Sequence, residues 1–115
     1  MVQKMTFSFD YEQMVQKALL KVAKDALQKT VENGLPGSHH FYLTFQTNRS
    51  DVDMSPRLKE MYPEEMTIAL QHQFWDLIVN DTTFSVVLSF DNIHEKITVP
   101  FVALMHFLDP SVKFG

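Results

Sequence analysis

The polar and apolar positions of the chain change period once. Val15, Ala18, Leu19, Val22, Ala23, Ala26, Leu27 and Val31, with Leu20, recur at helical spacing. Stepped at about 100° per residue they cover well over half of the circumference, and Lys17, Lys21, Lys24, Asp25 and Gln28 hold the rest. Asp10 stands where a cap is needed, with Gln13 three residues on and with Phe9 and Met14 at the positions of a hydrophobic staple. Gly34 supplies a left-handed residue and Pro36 resists resumption, so the predicted helix spans Tyr11 to about Asn33, roughly six turns. A helix lying on one sheet needs an apolar arc of only about 100° or somewhat more, so the surplus predicts a second buried contact, most simply another copy of the helix. The expected dimer interface is Leu20, Ala23, Leu27 and Val31. The alternative is that Ala18, Ala23 and Ala26 are simply good helix formers on a half-exposed face.

After Gly34–Gly37 the pattern becomes strand-like, beginning with His40, Phe41, Tyr42, Leu43, Thr44 and Phe45. Ser55 before Pro56 marks a short helix from Pro56 to Tyr62, closed by Pro63. Further strands are predicted at Glu65–Leu70, Phe74–Val79, Thr83–Phe90 and Lys96–Val99, with Asn80–Asp81 and Asp91–Asn92 as turns, and Phe101–Leu108 as a closing helical turn. One long helix followed by about five short strands implies an α+β, mainly β domain whose antiparallel sheet curls into a small barrel, because a flat sheet of this size leaves its edges open. Residues 1–115 then form a single domain, with the helix over 10–33 and the β region over 38–115. The echo of Met1–Val2–Gln3–Lys4 in Met14–Val15–Gln16–Lys17 is too short for a repeat.

Charge narrows the range of partners. Ten Lys and Arg against 14 Asp and Glu leave a net charge of -4. An acidic surface without a segregated basic patch repels nucleic-acid backbones. With no cysteine there is neither a disulfide framework nor a thiolate metal site, which fits a cytoplasmic protein. Met1–Asp10 lacks the apolar run of a signal peptide, and no later segment has the length to cross a bilayer, so no membrane association is expected.

Catalytic chemistry finds little footing. Five histidines invite a metal site. His39 and His40, however, are adjacent on what reads as a strand and point to opposite faces, and His72, His94 and His106 lie on separate elements without a carboxylate pattern. Three glycines, Gly34, Gly37 and Gly115, provide no phosphate-cradling loop and no nucleophile elbow. Glu64 and Glu65 are adjacent acids, more simply read as solvating the start of a strand. No metal, cofactor or catalytic residue is assigned. The unusual stretch is Leu70–Gln71–His72–Gln73–Phe74–Trp75–Asp76–Leu77, where amides and an imidazole flank the only tryptophan. Amides donate and accept, so Gln71 and Gln73 suit the main chain of an extended peptide, with aromatic neighbours covering its side chains. The same spacing also fits Phe74 and Trp75 as core aromatics with the glutamines in a surface loop.

At these residues the chain resembles the SspB family of adaptors for the ClpXP protease, in particular its alphaproteobacterial branch. The blocks are Asp10–Tyr11 and Met14–Val15–Gln16, Gly34–Leu35–Pro36–Gly37, His39–His40–Phe41–Tyr42 with Thr44–Phe45, Tyr62–Pro63–Glu64–Glu65–Met66–Thr67, Leu70 to Leu77, and Asp109 to Gly115. The resemblance implies an N-terminal helix on a Sm-like, strongly bent antiparallel sheet, a homodimer, and a groove for part of the ssrA tag, the peptide added to stalled translation products, with the rest of the tag left for the ClpX unfoldase. Carried over by position, Gln71, His72, Gln73, Phe74 and Trp75 are the expected peptide-binding residues, and Ser85, Val87, Ser89, Val99 and Phe101 the expected groove floor. Family members usually continue into a polar linker ending in a ClpX-docking peptide, whereas this sequence stops at Gly115. The expectation is a chain that binds tags without delivering them. The rivals are an RNA-binding Sm-like module, in which Phe74 and Trp75 would stack bases, and an enzyme centred on His72.

Overall fold

The computed structural model describes residues 8–115. The reading of the segment before Ser8 and the Met1–Lys4 echo lie outside the described residues. Helix α1 runs Tyr11–Asn33, with the Asp10 carboxylate accepting from the Gln13 amide at 3.0 Å and Gly34 closing it at φ 75°. Six strands follow: β1 Phe41–Gln46, β2 Glu65–Leu70, β3 Phe74–Val79, β4 Thr83–Phe90, β5 Ile93–Pro100 and β6 Leu104–Leu108. A short helix α2, Pro56–Met61, bridges β1 and β2, capped by the Ser55 hydroxyl.

The expected helix on a curled, mainly β body is present, built as two three-stranded antiparallel sheets, β2-β1-β6 and β3-β4-β5. Their inner faces share one core: Leu43, Phe45, Met66, Ile68 and Phe107 from the first sheet meet Phe84, Val86, Leu88, Ile97 and Val99 from the second. Sharing a core in this way removes the exposed flat face that either sheet would present alone.

Two predicted elements change. Residues 101–108 are a 3₁₀ turn, Phe101–Ala103, and then strand β6, where one helical turn was expected. Tyr42, Leu43 and Thr44 of β1 recruit Leu108, Phe107 and His106 as ladder partners, and this long-range pairing outweighs local preference. Strand β5 also starts earlier, at Ile93, because Asp91 and Asn92 both take positive φ (52° and 65°), the geometry of a two-residue hairpin that pairs Phe90 with Ile93 directly.

In β3 the sequence Phe74–Trp75–Asp76–Leu77–Ile78–Val79 does not alternate. A bulge between Trp75 and Ile78, with Asp76 at φ 53°, resolves it. Phe74, Leu77 and Val79 pack on the core, while Trp75 and Ile78 turn outward.

Arg57 of α2 pairs with Glu95 of β5 at 2.5 Å and with Asp91 at 3.4 Å, tying the bridging helix to the β4–β5 hairpin. At the other end Asp109, 5 % exposed, accepts from the Ser111 hydroxyl and backbone amide (2.6 and 3.2 Å) and faces His39 Nδ1 at 2.6 Å. A Ser, a His and an Asp meet here without a nucleophile. The hydroxyl donates to the carboxylate, and its 3.3 Å contact with the ring falls on the nitrogen already facing Asp109, so the group clips the C-terminal segment to the loop before β1.

Both carboxyls lie below their ordinary range. For Glu95 the Ser55 hydrogen bond lowers the value most, burial opposes it and Arg57 lowers it further. For Asp109 burial pushes upward, and the Ser111 and His39 interactions together outweigh it. A carboxyl depressed on folding contributes stability that is present above its unfolded value, about 4, and lost as pH falls through the lower folded value. Thermal melts from pH 6 to pH 2 should therefore show a steeper acid limb for the natural chain than for an Asp109→Asn, Glu95→Gln double variant.

Candidate functional site

Strand pairing fixes which side chains share a face. Paired residues in an antiparallel ladder point the same way, so Trp75–Val87–Lys96 form one row across β3, β4 and β5. A second row is Ser89–His94, and a third is Ile78–Ser85–Thr98. All lie on the face of the second sheet opposite the core. Trp75 and His94 lean across β4 and stack at 4.3 Å with planes 26° apart, which half-buries Val87 and Ser89 beneath them. Trp75 remains 40 % exposed.

Beside this stack, the turn from β2 to β3 carries Gln71, His72 and Gln73, all exposed. Gln73 lines a groove of about 240 Å³ between Thr67, Ile68 and Ala69 of β2 and Leu88, Ser89 and Phe90 of β4. Gln71, His72, Gln73 and Ala69 border a neighbouring recess of about 280 Å³. Because β2 pairs only with β1, its other edge runs along this groove with its backbone groups unpaired in the ladder.

The structure thus brings together Gln71, His72, Gln73, Trp75, Val87 and Ser89, and Ser85 shares their face although it is buried. Three expected site residues fall elsewhere. Val99, 0 % exposed, pairs with Phe84 on the core side, and Phe101, 5 % exposed, packs against Phe84 with ring centroids 5.6 Å apart. Phe74 is half-buried and packs inward opposite Leu88. Val99 and Phe101 are therefore corrected from groove floor to core: on β5 the outward positions are His94, Lys96 and Thr98. Sequence reasoning left those three out. The Asp91–Asn92 turn, which sets the register, was the signal that pointed to them.

The expected dimer stripe also divides. Ala23 and Leu27 are 0 % exposed within the single chain, consumed by α1 docking on its own body, so they are corrected from interface to core. Leu20 is half-buried against the core, and Val31 is 45 % exposed. The apolar surplus sits instead on a second arc, Tyr11, Met14, Val15, Ala18 and Val22, all exposed, and of the helix only Ala23, Leu27 and Thr30 are buried. Two larger grooves, about 440 and 800 Å³, flank this helix and not the Gln73 turn.

Among the described residues no cluster of three or more His, Cys, Asp or Glu is placed to hold a metal. His39 and His40 precede β1, the first on Asp109 and the second with Nδ1 donating to the Ser38 carbonyl and its ring edge-on to Tyr42. No helix among the described residues is long and apolar enough to cross a membrane.

The family model of SspB, stringent starvation protein B, matches residues 13–115, from the first turn of α1 through the clipped C-terminal segment. The chain belongs to the SspB family. SspB proteins serve in general as adaptors for ClpXP and are not known as enzymes. No curated protein matches the chain.

Proposed function

We propose that this chain binds the ssrA degradation tag of stalled translation products in the groove beside Gln73, acting in the cytoplasm as a homodimer of the alphaproteobacterial SspB type, and that tagged proteins are tethered to ClpXP through the linker and docking peptide with which family members usually continue. The observation that carries the reading is the groove between the open edge of β2 and strand β4, lined by Gln73 and by Ser89, the ladder partner of the stacked His94. An extended peptide there gains main-chain hydrogen bonds from the strand edge, amide contacts from the glutamines and partial cover for its side chains from the indole. Such contacts give a complex that still releases its cargo. A tether then acts by effective concentration, reaching about the millimolar range over short flexible links, and needs no chemistry.

Salt dependence tests this against RNA binding on the same aromatic face. With labelled ssrA peptide, a rise from low to moderate ionic strength should weaken binding by a few-fold at most. A loss of orders of magnitude, or preferential binding of single-stranded RNA, would show counterion release and favour the nucleic-acid reading.

The dimer reading rests on the uncovered arc of α1. Tyr11 and Val15 are 67 and 68 % exposed on a body 66 Å in its longest extent, and a second helix would cover them. Sedimentation at about tens of micromolar should show a dimer. Val15→Ser together with Val22→Ser should shift it to monomer with little change in the melting of the subunit, because neither residue is buried in the single chain. A natural chain that sediments as monomer at that concentration contradicts the dimer.

A further inference from the structure

Lys96 is the only lysine or arginine in any of the six strands. It stands on the outward face of β5, exposed, directly opposite Val87 and in one row with Trp75. The charges around it are engaged elsewhere or stand off. Glu95, its neighbour, is on the inward face and paired with Arg57, and Asp91 of the turn is also paired with Arg57. Asp76, at the bulge of β3, and Asp53, bridged to Thr98 two residues along β5, make no ion pair with it, and Lys96 itself has no acidic partner among the described residues. Lys21, Lys24, Arg49 and Arg57 each hold a carboxylate of the chain, whereas Lys17, Lys29, Lys59 and Lys113, like Lys96, hold none among the described residues, and of these five only Lys96 stands on a strand.

We infer that Lys96, on the outward strand face that continues from Ser89 in the groove wall through its ladder partner His94, is a specificity-determining residue for the bound peptide, pairing its ammonium with a side-chain carboxylate of that peptide, so that the ligand class is an extended peptide with an acidic residue placed beside the Trp75–His94 stack. The inference rests on the groove reading proposed above and adds the chemistry the ligand must carry. A lone cation next to a stacked indole and imidazole lies where water is partly displaced by a bound chain, which strengthens a charge pair relative to open solvent. The stack also restricts where a peptide backbone passes, so a carboxylate meets Lys96 at one position of the ligand and not along its whole length. The competing role for this residue is negative protection of a sheet edge, since β5 ends its sheet and lysine discourages edge pairing. That role predicts a change in aggregation and none in selectivity.

The test is fluorescence anisotropy with an ssrA peptide series in which each position in turn is Asp or Asn, titrated with the natural chain, Lys96→Gln, Lys96→Glu and Gln73→Ala. At one position the natural chain should prefer Asp over Asn by about three- to tenfold. Lys96→Gln should abolish that preference, Lys96→Glu should reverse it, and Gln73→Ala should weaken both peptides while keeping their ratio. An Asp/Asn ratio unchanged in Lys96→Gln overturns the assignment while leaving the groove in place. If the natural chain binds no peptide of the series, the groove reading itself fails and the inference falls with it.

Discussion

Leu27→Ala is expected to destabilise the chain by about 3 kcal/mol, lowering the melting temperature by about 10 °C or more. The size of the effect follows from how little holds α1 down. Of its 23 residues only Ala23, Leu27 and Thr30 are buried, and Leu27 is the one large apolar side chain among them. Truncating it removes the burial of several methylene and methyl groups and leaves a cavity between helix and body that the neighbouring ladder cannot collapse to fill. The remaining tethers, half-buried Leu19, Leu20 and Ala26, the Gln16 Nε2 hydrogen bond to the Leu104 carbonyl at 2.7 Å and Lys24 near Asp81, are each of more modest worth. Circular dichroism melts measure it directly. A loss below about 1 kcal/mol would mean that the helix is held mainly by a partner subunit and not by its own body.

Trp75→Ala should reduce affinity for ssrA peptide by about tenfold or more while costing little stability. The indole faces outward over Val87 and Ser89, 40 % exposed, and its principal neighbour is the His94 ring, so its removal opens the groove without emptying the core. The two observables separate the alternatives left open by the sequence. A core aromatic would show a large loss of stability with binding lost only through unfolding. A groove residue shows the reverse. Melts alongside anisotropy decide between them.

The contrast between Leu27 and Trp75 also shows what could be read from the chain. The helix bounds were legible because capping and termination are local: Asp10, Gly34 and Pro36 act within a turn of the residues they affect. The apolar surplus of the helix was legible too. Its division was not, since a period of 3.6 shows that two apolar arcs exist without showing which one meets the sheet. Ala23 and Leu27 met it, and Tyr11, Met14, Val15 and Val22 did not.

For the sheets, alternation found β2, whose buried Met66, Ile68 and Leu70 alternate with exposed Glu65, Thr67 and Ala69. Strand β3 was found at its observed bounds, Phe74–Val79, although the Asp76 bulge resets its parity; the reading failed at β6, whose strand state depends on β1 more than 60 residues earlier in the chain, with Tyr42 opposite Leu108. The proposed groove residues followed the same division. Gln71, Gln73 and Trp75 were visible as an odd run of side chains in one short segment. Lys96 and His94 required the register set by the Asp91–Asn92 turn, and Val99 and Phe101 were placed on the wrong side of β5 for want of it. The His39–Asp109 clip joins residues 70 apart and left no local trace.

The most direct measurement is the anisotropy of a labelled ssrA peptide titrated with this chain, with Gln73→Ala and a scrambled peptide in parallel. The account predicts saturable binding, weakened by about tenfold in Gln73→Ala and absent for the scrambled sequence. Equal binding of both peptides, or ssrA binding untouched by Gln73→Ala, would contradict a tag-reading groove between β2 and β4.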